Sequence, residues 1–121
     1  MSTSPFPRLR DICLCLPETT ERLSHGAPTW FIRGKKTFAT FTDDHHGDGR
    51  VAVWCAAPPG AQHSLVSDDP EQYFVPPYVG TRGWLGVRLD REPEWERVAD
   101  LIEDAYRTVA PKRLVAELGL R

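Results

Sequence analysis

The pattern of apolar positions predicts a helix near each end of the chain. Residues 5–16 place apolar side chains three or four positions apart, as a helix with one buried face does (Phe6, Leu9, Ile12, Cys13 and Leu16). Pro17 ends this helix, because a proline restricts the residue before it to extended geometry. A longer apolar stripe over residues 95–109 predicts a second helix, followed after Pro111 by a short one over residues 112–118.

Between these helices the pattern changes to that of short strands. Residues 29–32 and 36–42 are rich in aromatic and β-branched side chains and flank a turn at Gly34, which predicts a hairpin. Residues 50–55 and 84–89 alternate apolar and other side chains, as a half-buried strand does. The remaining elements are a short helix over residues 61–67 and a short strand over residues 73–75.

The order of these elements is helix, three strands, helix, two strands and two helices (α-β-β-β-α-β-β-α-α). Consecutive short strands without helical crossovers favour an antiparallel sheet. The helices then cover one face of the sheet, so we expect a two-layer α+β fold. A chain of 121 residues fits one domain, which we place over residues 1–121.

Composition narrows the classes of function. The net charge is −2 and the sequence pI is about 6.1, whereas nucleic-acid modules often have a pI above ~9. Any nucleic-acid role therefore needs a local basic patch. No apolar run approaches the ~18 residues of a membrane helix, and residues 1–7 lack the apolar core of a signal peptide. We expect a cytoplasmic protein whose three cysteines are reduced.

Seven segments stand in order along the chain: Leu14-Cys15-Leu16-Pro17-Glu18, His25-Gly26-Ala27-Pro28, Arg33-Gly34-Lys35-Lys36, Phe74-Val75-Pro76-Pro77-Tyr78-Val79-Gly80, Gly83-Trp84-Leu85, Val87-Arg88-Leu89-Asp90 and Ala110-Pro111-Lys112-Arg113-Leu114. In this order they resemble the MmcQ/YjbR family of small bacterial proteins, and the resemblance covers nearly the whole chain. It implies an α+β fold with an antiparallel sheet, in agreement with the pattern of strands and helices. The family is usually labelled DNA-binding, which makes DNA an expected partner.

Candidate catalytic and metal-binding residues do not form a recognisable site. Cys13 falls on the apolar face of the first helix and Cys55 points with the core side of its strand, so both are expected in the core. Cys15 and the His45-His46 pair are the remaining candidates for an enzyme or small-ligand site. They lack the partner residues and ligand spacing that such sites need. We expect no enzyme activity, no catalytic or metal-binding residues and no cofactor.

The sheet face without helices is the more informative feature. If the alternating apolar residues Leu85, Val87 and Leu89 face the helices, Trp84 and Arg88 face away. The same alternation on the strand over residues 50–55 turns Arg50 and Trp54 away from the helices. Aromatic and arginine side chains together suit base stacking and phosphate pairing, and equally a protein interface. The alternative is that loops, such as residues 76–82, fold over this face.

A second basic feature lies at the turn of the predicted hairpin, where Arg33, Lys35 and Lys36 stand together. A basic turn suits phosphate contacts, although charged residues are also common at soluble hairpin tips. The acidic outer face of the long helix repels nucleic acid, so binding is expected elsewhere. The predicted nucleic-acid-binding residues are Arg33, Lys35, Lys36, Tyr78, Arg82, Trp84 and Arg88.

These features predict a non-enzymatic binding protein, with DNA as the first candidate partner. The alternative is a protein-interaction or chaperone-like module that uses the same open face for a homodimer or another partner protein. The net negative charge weighs against DNA, whereas the local clustering of basic and aromatic residues favours it.

Overall fold

A computed structural model describes residues 4–119, which form one six-stranded antiparallel sheet and four helices. Each hydrogen-bonded pair of neighbouring strands is antiparallel, and the strands lie in the order β1-β2-β3-β4-β6-β5. The expected α+β class with an antiparallel sheet is therefore confirmed. The strands are β1 (Thr19–Ser24), β2 (Ala27–Ile32), β3 (Lys36–Asp43), β4 (Val51–Cys55), β5 (Tyr73–Phe74) and β6 (Leu85–Arg88), and the helices are α1 (Phe6–Leu14), α2 (Ala61–Asp68), α3 (Trp95–Val109) and α4 (Lys112–Leu118).

The sequence pattern missed one strand, β1. It lies at the edge of the sheet beside β2, and all six of its residues are half-buried or exposed. An edge strand needs few apolar side chains, and the polar sequence of β1 carries no hydrophobic alternation. The order predicted from the sequence is therefore one strand short before α2. The first helix also ends at Leu14, two residues earlier than predicted.

The helices pack on one face of the sheet, with α3 over β3 and β4. The ring of Phe38 meets the ring of Tyr106 edge-on, with centroids 5.7 Å apart. The Tyr106 hydroxyl donates a hydrogen bond to the carbonyl oxygen of Pro17, 2.8 Å away. This bond joins helix α3 to the turn that follows α1. No helix within residues 4–119 is long and apolar enough to cross a membrane.

Helix α1 is held to the same face by an aromatic contact and an ion pair. Phe6 packs against Phe41 with ring centroids 5.0 Å apart. Arg10 donates two hydrogen bonds to the Glu21 carboxylate, at 2.8 and 2.7 Å, and Trp30 Nε1 donates a third at 3.0 Å. The hydrogen bonds from Arg10 are the main cause of the lowered pKa of Glu21. The carboxylate therefore stays ionised at pH values below those at which a glutamate usually becomes protonated, and it keeps α1 joined to the edge of the sheet.

The cysteines occupy the environments that the pattern predicts. Cys13 and Cys55 are buried and Cys15 is exposed. Burial raises the pKa of Cys55 to about 12 and that of Cys13 well above its usual value, so both thiols stay neutral where a free cysteine ionises.

We therefore expect one fast-reacting thiol in the native protein and three in denaturant. Titration with a chromogenic disulfide at pH 8 measures this, because only an accessible thiolate attacks the reagent. A Cys15→Ser variant is the control and should show no fast phase. A fast phase that survives this substitution would contradict the burial of Cys13 and Cys55.

Candidate nucleic-acid interface

The sheet alternates as the sequence predicts, with Trp54 on the side away from the helices. Its neighbour Cys55 lines a cavity beside Leu101 of α3 and so points toward the helices. Trp54 stands opposite Thr40 on β3 and opposite Gly86 on β6. Because side chains directly opposite each other in a ladder share a face, these positions define the helix-free face.

This face is not bare, because loops cover both of its tryptophans. Trp54 and Trp84 are each only 6% exposed. The ring of His45, in the β3–β4 loop, meets Trp54 with centroids 4.8 Å apart, and the guanidinium of Arg82 lies 5.5 Å from the Trp84 ring. The expectation of an open indole surface is therefore wrong, and the alternative of loops folding over the face is correct.

The loop over residues 75–84, here the covering loop, is tethered from beneath by Gln62 of α2. The Gln62 side-chain amide donates to the carbonyl oxygens of Gly80, at 2.8 Å, and of Trp84, at 2.6 Å. The Gly80 N–H donates to Pro76 at 3.1 Å and closes the loop on itself. These bonds hold the loop in one shape. Nothing in the sequence around Gln62 signals this role.

Tyr78 stands at the exposed tip of the covering loop in a strained conformation. Its φ of 65° and ψ of −67° belong to a tight three-residue turn, in which the Val79 N–H donates to Pro77 O at 2.7 Å. This turn is rare for a residue with a side chain. The Tyr78 side chain is 73% exposed, and that of Val75 is 54% exposed. The loop therefore presents an aromatic ring to solvent on a rigid base.

Four of the predicted basic residues gather at one end of the sheet. Strands β3 and β6 are both antiparallel to β4, so both begin at the same end, which we name the hairpin end. Lys36 opens β3, and Arg82 lies just before β6. Two strand spacings separate these strands, about 10 Å. Lys35, Lys36 and Arg82 are exposed and make no ion pair within residues 4–119.

The fourth residue, Arg33, is already engaged. It sits at the turn between β2 and β3, with its Nε 3.1 Å from Glu18 Oε1, and its backbone N–H donates to Glu18 O at 2.8 Å. Both side chains remain partly exposed, so the pair is solvent-screened and weak. Arg33 supports the hairpin turn and retains access to a competing anion.

Arg88 lies apart from the others, at the opposite end of β6. Its guanidinium donates two hydrogen bonds of 3.0 Å to the Asp90 carboxylate, and these bonds are the main cause of the lowered pKa of Asp90. Arg88 is thus paired within the fold. Arg50, which is not among the binding residues predicted from the sequence, stacks 4.2 Å above the Phe74 ring and has no ion pair within residues 4–119.

The histidine loop adds rings to this face and no metal cage. Among the described residues, no three His, Cys, Asp or Glu side chains lie together as metal ligands would. His45 contacts His46, Trp54 and Tyr78, with ring centroids 4.1, 4.8 and 6.2 Å away. His45 Nε2 and Trp54 Nε1 are buried without a hydrogen-bond partner within residues 4–119. Buried polar atoms without partners cost about 1–3 kcal/mol each, so the stack is held by ring packing.

The fold and the covered face together define a two-layer α+β protein with helices on one side of an antiparallel sheet and tethered loops on the other. The sequence profile of the YjbR family matches residues 14–108, and the chain belongs to this family. A search of curated proteins gives no significant match. Among solved structures, protein DR2400 of Deinococcus radiodurans, described with a DUF419 domain, has a similar fold. It is 18% identical, with a TM-score of 0.74 over 96% of this chain and 88% of that one.

Proposed function

We propose that this YjbR-family protein is a non-enzymatic binding protein that holds the phosphate backbone of DNA at the hairpin end of its sheet. The observation that carries the proposal is a set of exposed cations at one end of the sheet that form no ion pair within residues 4–119, namely Lys35, Lys36 and Arg82. Cations that no carboxylate neutralises are available to phosphates, and displacing the counterions of the phosphates provides affinity. Arg33 adds a fourth cation when it exchanges Glu18 for phosphate.

The distribution of acidic residues is compatible with this site despite the net charge of −2. Glu96 and Asp100 are exposed on α3, and α3 packs on the helix-covered face of the sheet. Asp104 of the same helix comes closer, because it lines a cavity with Cys55 and Leu85 at the hairpin end. Charges separated by more than a Debye length of about 8–10 Å are largely screened at moderate salt. A polyanion that approaches the hairpin end is therefore attracted by the local cations and partly repelled by Asp104, rather than responding to the average charge of the chain.

A salt titration tests the proposal. Fluorescence anisotropy with a labelled oligonucleotide should show affinity falling steeply with salt, with a log–log slope of about 0.7–0.9 for each phosphate contact. A Lys36→Gln or Arg82→Gln variant should reduce the slope by about one contact. Arg107→Gln is the matched control, because it removes the same charge from α3, where Arg107 faces Glu103 at 3.7 Å.

Two results would contradict the proposal. One is the absence of binding to both single- and double-stranded DNA at low salt. The other is equal weakening by Arg107→Gln and by the hairpin-end variants, since a nonspecific charge effect predicts that equality.

A protein interface is the second candidate, and the exposed side chains of Val75 and Tyr78 favour it. Tyrosine is enriched at the energetic centres of protein interfaces. If this loop mediates a homodimer, light scattering should show a dimer at high concentration that a Tyr78→Asp substitution converts to monomer. A protein that stays monomeric at all concentrations would remove the homodimer from consideration.

A further inference from the structure

We infer that the DNA is single-stranded and that one of its bases stacks on Tyr78. This inference rests on the proposed function and specifies the form of nucleic acid that the same surface takes. The covering loop holds an exposed aromatic ring, Tyr78, and four residues later the guanidinium of Arg82, which forms no ion pair within residues 4–119.

The backbone of Tyr78 indicates that the ring itself is what the loop presents. The left-handed three-residue turn at this position suits glycine, and a side chain there is strained by about 1–3 kcal/mol. The ring is 73% exposed, so burial of its own surface contributes little to offset that strain. Strain of this kind is typical of residues that contact a ligand.

The loop is rigid enough to hold the ring in place. The two hydrogen bonds from Gln62 fix the backbone on the far side of the tip, and the Thr81 hydroxyl donates to the Tyr78 carbonyl oxygen at 3.1 Å. The buried Pro76 anchors the near side. A stacking platform that is ordered before binding loses little conformational freedom when a base arrives.

Other rings and cations surround the tip. His45 supports the Tyr78 ring from one side, at 6.2 Å, and the exposed His46 continues the row of rings. Arg82 lies over Trp84 and Arg50 over Phe74, so both guanidinium groups are held against aromatic rings. Aromatic rings beside cations that track a backbone are the usual composition of single-strand binding surfaces.

The form of the platform favours a single strand over a duplex. A ring on a protruding loop stacks only on a base whose face is free, and the bases of a duplex cover one another's faces. Within residues 4–119, few cations around the site lack an ion pair, which suits the short phosphate track of a single strand. The buried tryptophans take no direct part and serve as supports for His45 and Arg82.

The experiment measures the affinity of the 121-residue protein for three fluorescent probes at low salt. The probes are a 12-nucleotide thymidine strand, an abasic strand of equal length, and a 12-base-pair duplex. The thymidine strand should bind most tightly. Tyr78→Ala should weaken its binding by about 5- to 150-fold, as expected for one lost base stack, and should leave the abasic strand unaffected. Tyr78→Trp should retain the affinity for thymidine.

Tyr78→Gly separates the ring from the fold. Glycine relieves the strained turn, so this variant should melt at a higher temperature than Tyr78→Ala while losing the same affinity for the thymidine strand. Equal binding of duplex and thymidine strand, with no effect of Tyr78→Ala, would overturn the inference and leave the proposed function standing. Failure of all three probes to bind would overturn both.

Discussion

Replacing Phe38 with alanine is expected to lower the free energy of unfolding by about 3–5 kcal/mol. The Phe38 side chain is completely buried, and its ring packs edge-on against Tyr106 of α3. Truncation leaves a cavity between the sheet and the helix that covers it, where few flexible side chains are available to fill it. A loss of this size is a large share of the 5–15 kcal/mol stability of an ordinary domain.

Urea denaturation measures the effect as a lower midpoint with an unchanged slope. Leu23→Ala is the matched control, because Leu23 lies on the edge strand β1 with its side chain 71% exposed. That substitution should change stability by no more than about 0.5 kcal/mol. If Phe38→Ala costs no more than the control, the placement of Phe38 beneath α3 is wrong.

Simple alternation along β3 would place the Phe38 side chain on the helix-free face. Counting in steps of two puts Phe38 on the opposite face from Ala39, yet Ala39 pairs with Trp30 and Cys55, and Cys55 points toward the helices. The register shifts between Trp30 and Phe31, so Phe38 has no partner on β2 and two residues of β3 stand against one. Such a bulge turns both side chains toward the same face. No local sequence signal marks it.

The rest of the sheet shows which features the sequence does predict. The hairpin of β2 and β3, the strand β4 and the long helix α3 all follow from local periodicity, which needs no knowledge of distant contacts. The side of the sheet that Trp54 occupies follows in the same way. Its burial does not, because His45 reaches it from a loop and the sequence cannot say where a loop turns.

The candidate site shows the same division. The basic turn at Lys35 and Lys36 is visible in the sequence, and so is Tyr78, which lies in a conspicuous proline-rich segment. The joining of Lys36 and Arg82 at one end of the sheet depends on β3 and β6 both pairing with β4. The ion pair between Arg88 and Asp90 could not be predicted either, although the two residues are only two positions apart. The alternation of a strand does not specify which side chains pair.

Replacing Gly86 with alanine should destabilise the protein by about 1–3 kcal/mol, as overpacking does in a filled interior. A methyl group at this position would lie 2.5 Å from the Phe74 ring, closer than carbon atoms approach. The backbone of Gly86 is that of an ordinary strand, so strain in φ is not the cause. In the absence of the ring, alanine would be favoured over glycine in a strand by about 0.5–1 kcal/mol. The sign of the change therefore reports the contact with Phe74.

A double-mutant cycle with Phe74→Leu isolates that contact. Leucine is shorter than phenylalanine and leaves room above the strand, so Gly86→Ala should be neutral or stabilising in the Phe74→Leu background. The two free energies of unfolding should differ from additivity by more than about 1 kcal/mol, measured by urea denaturation of all four proteins. Additive effects would show that Gly86 is needed for a reason other than the ring. Because Phe74 directly precedes the covering loop and supports Arg50, the same clash should also weaken binding of the thymidine strand, which links the packing of this face to its proposed use.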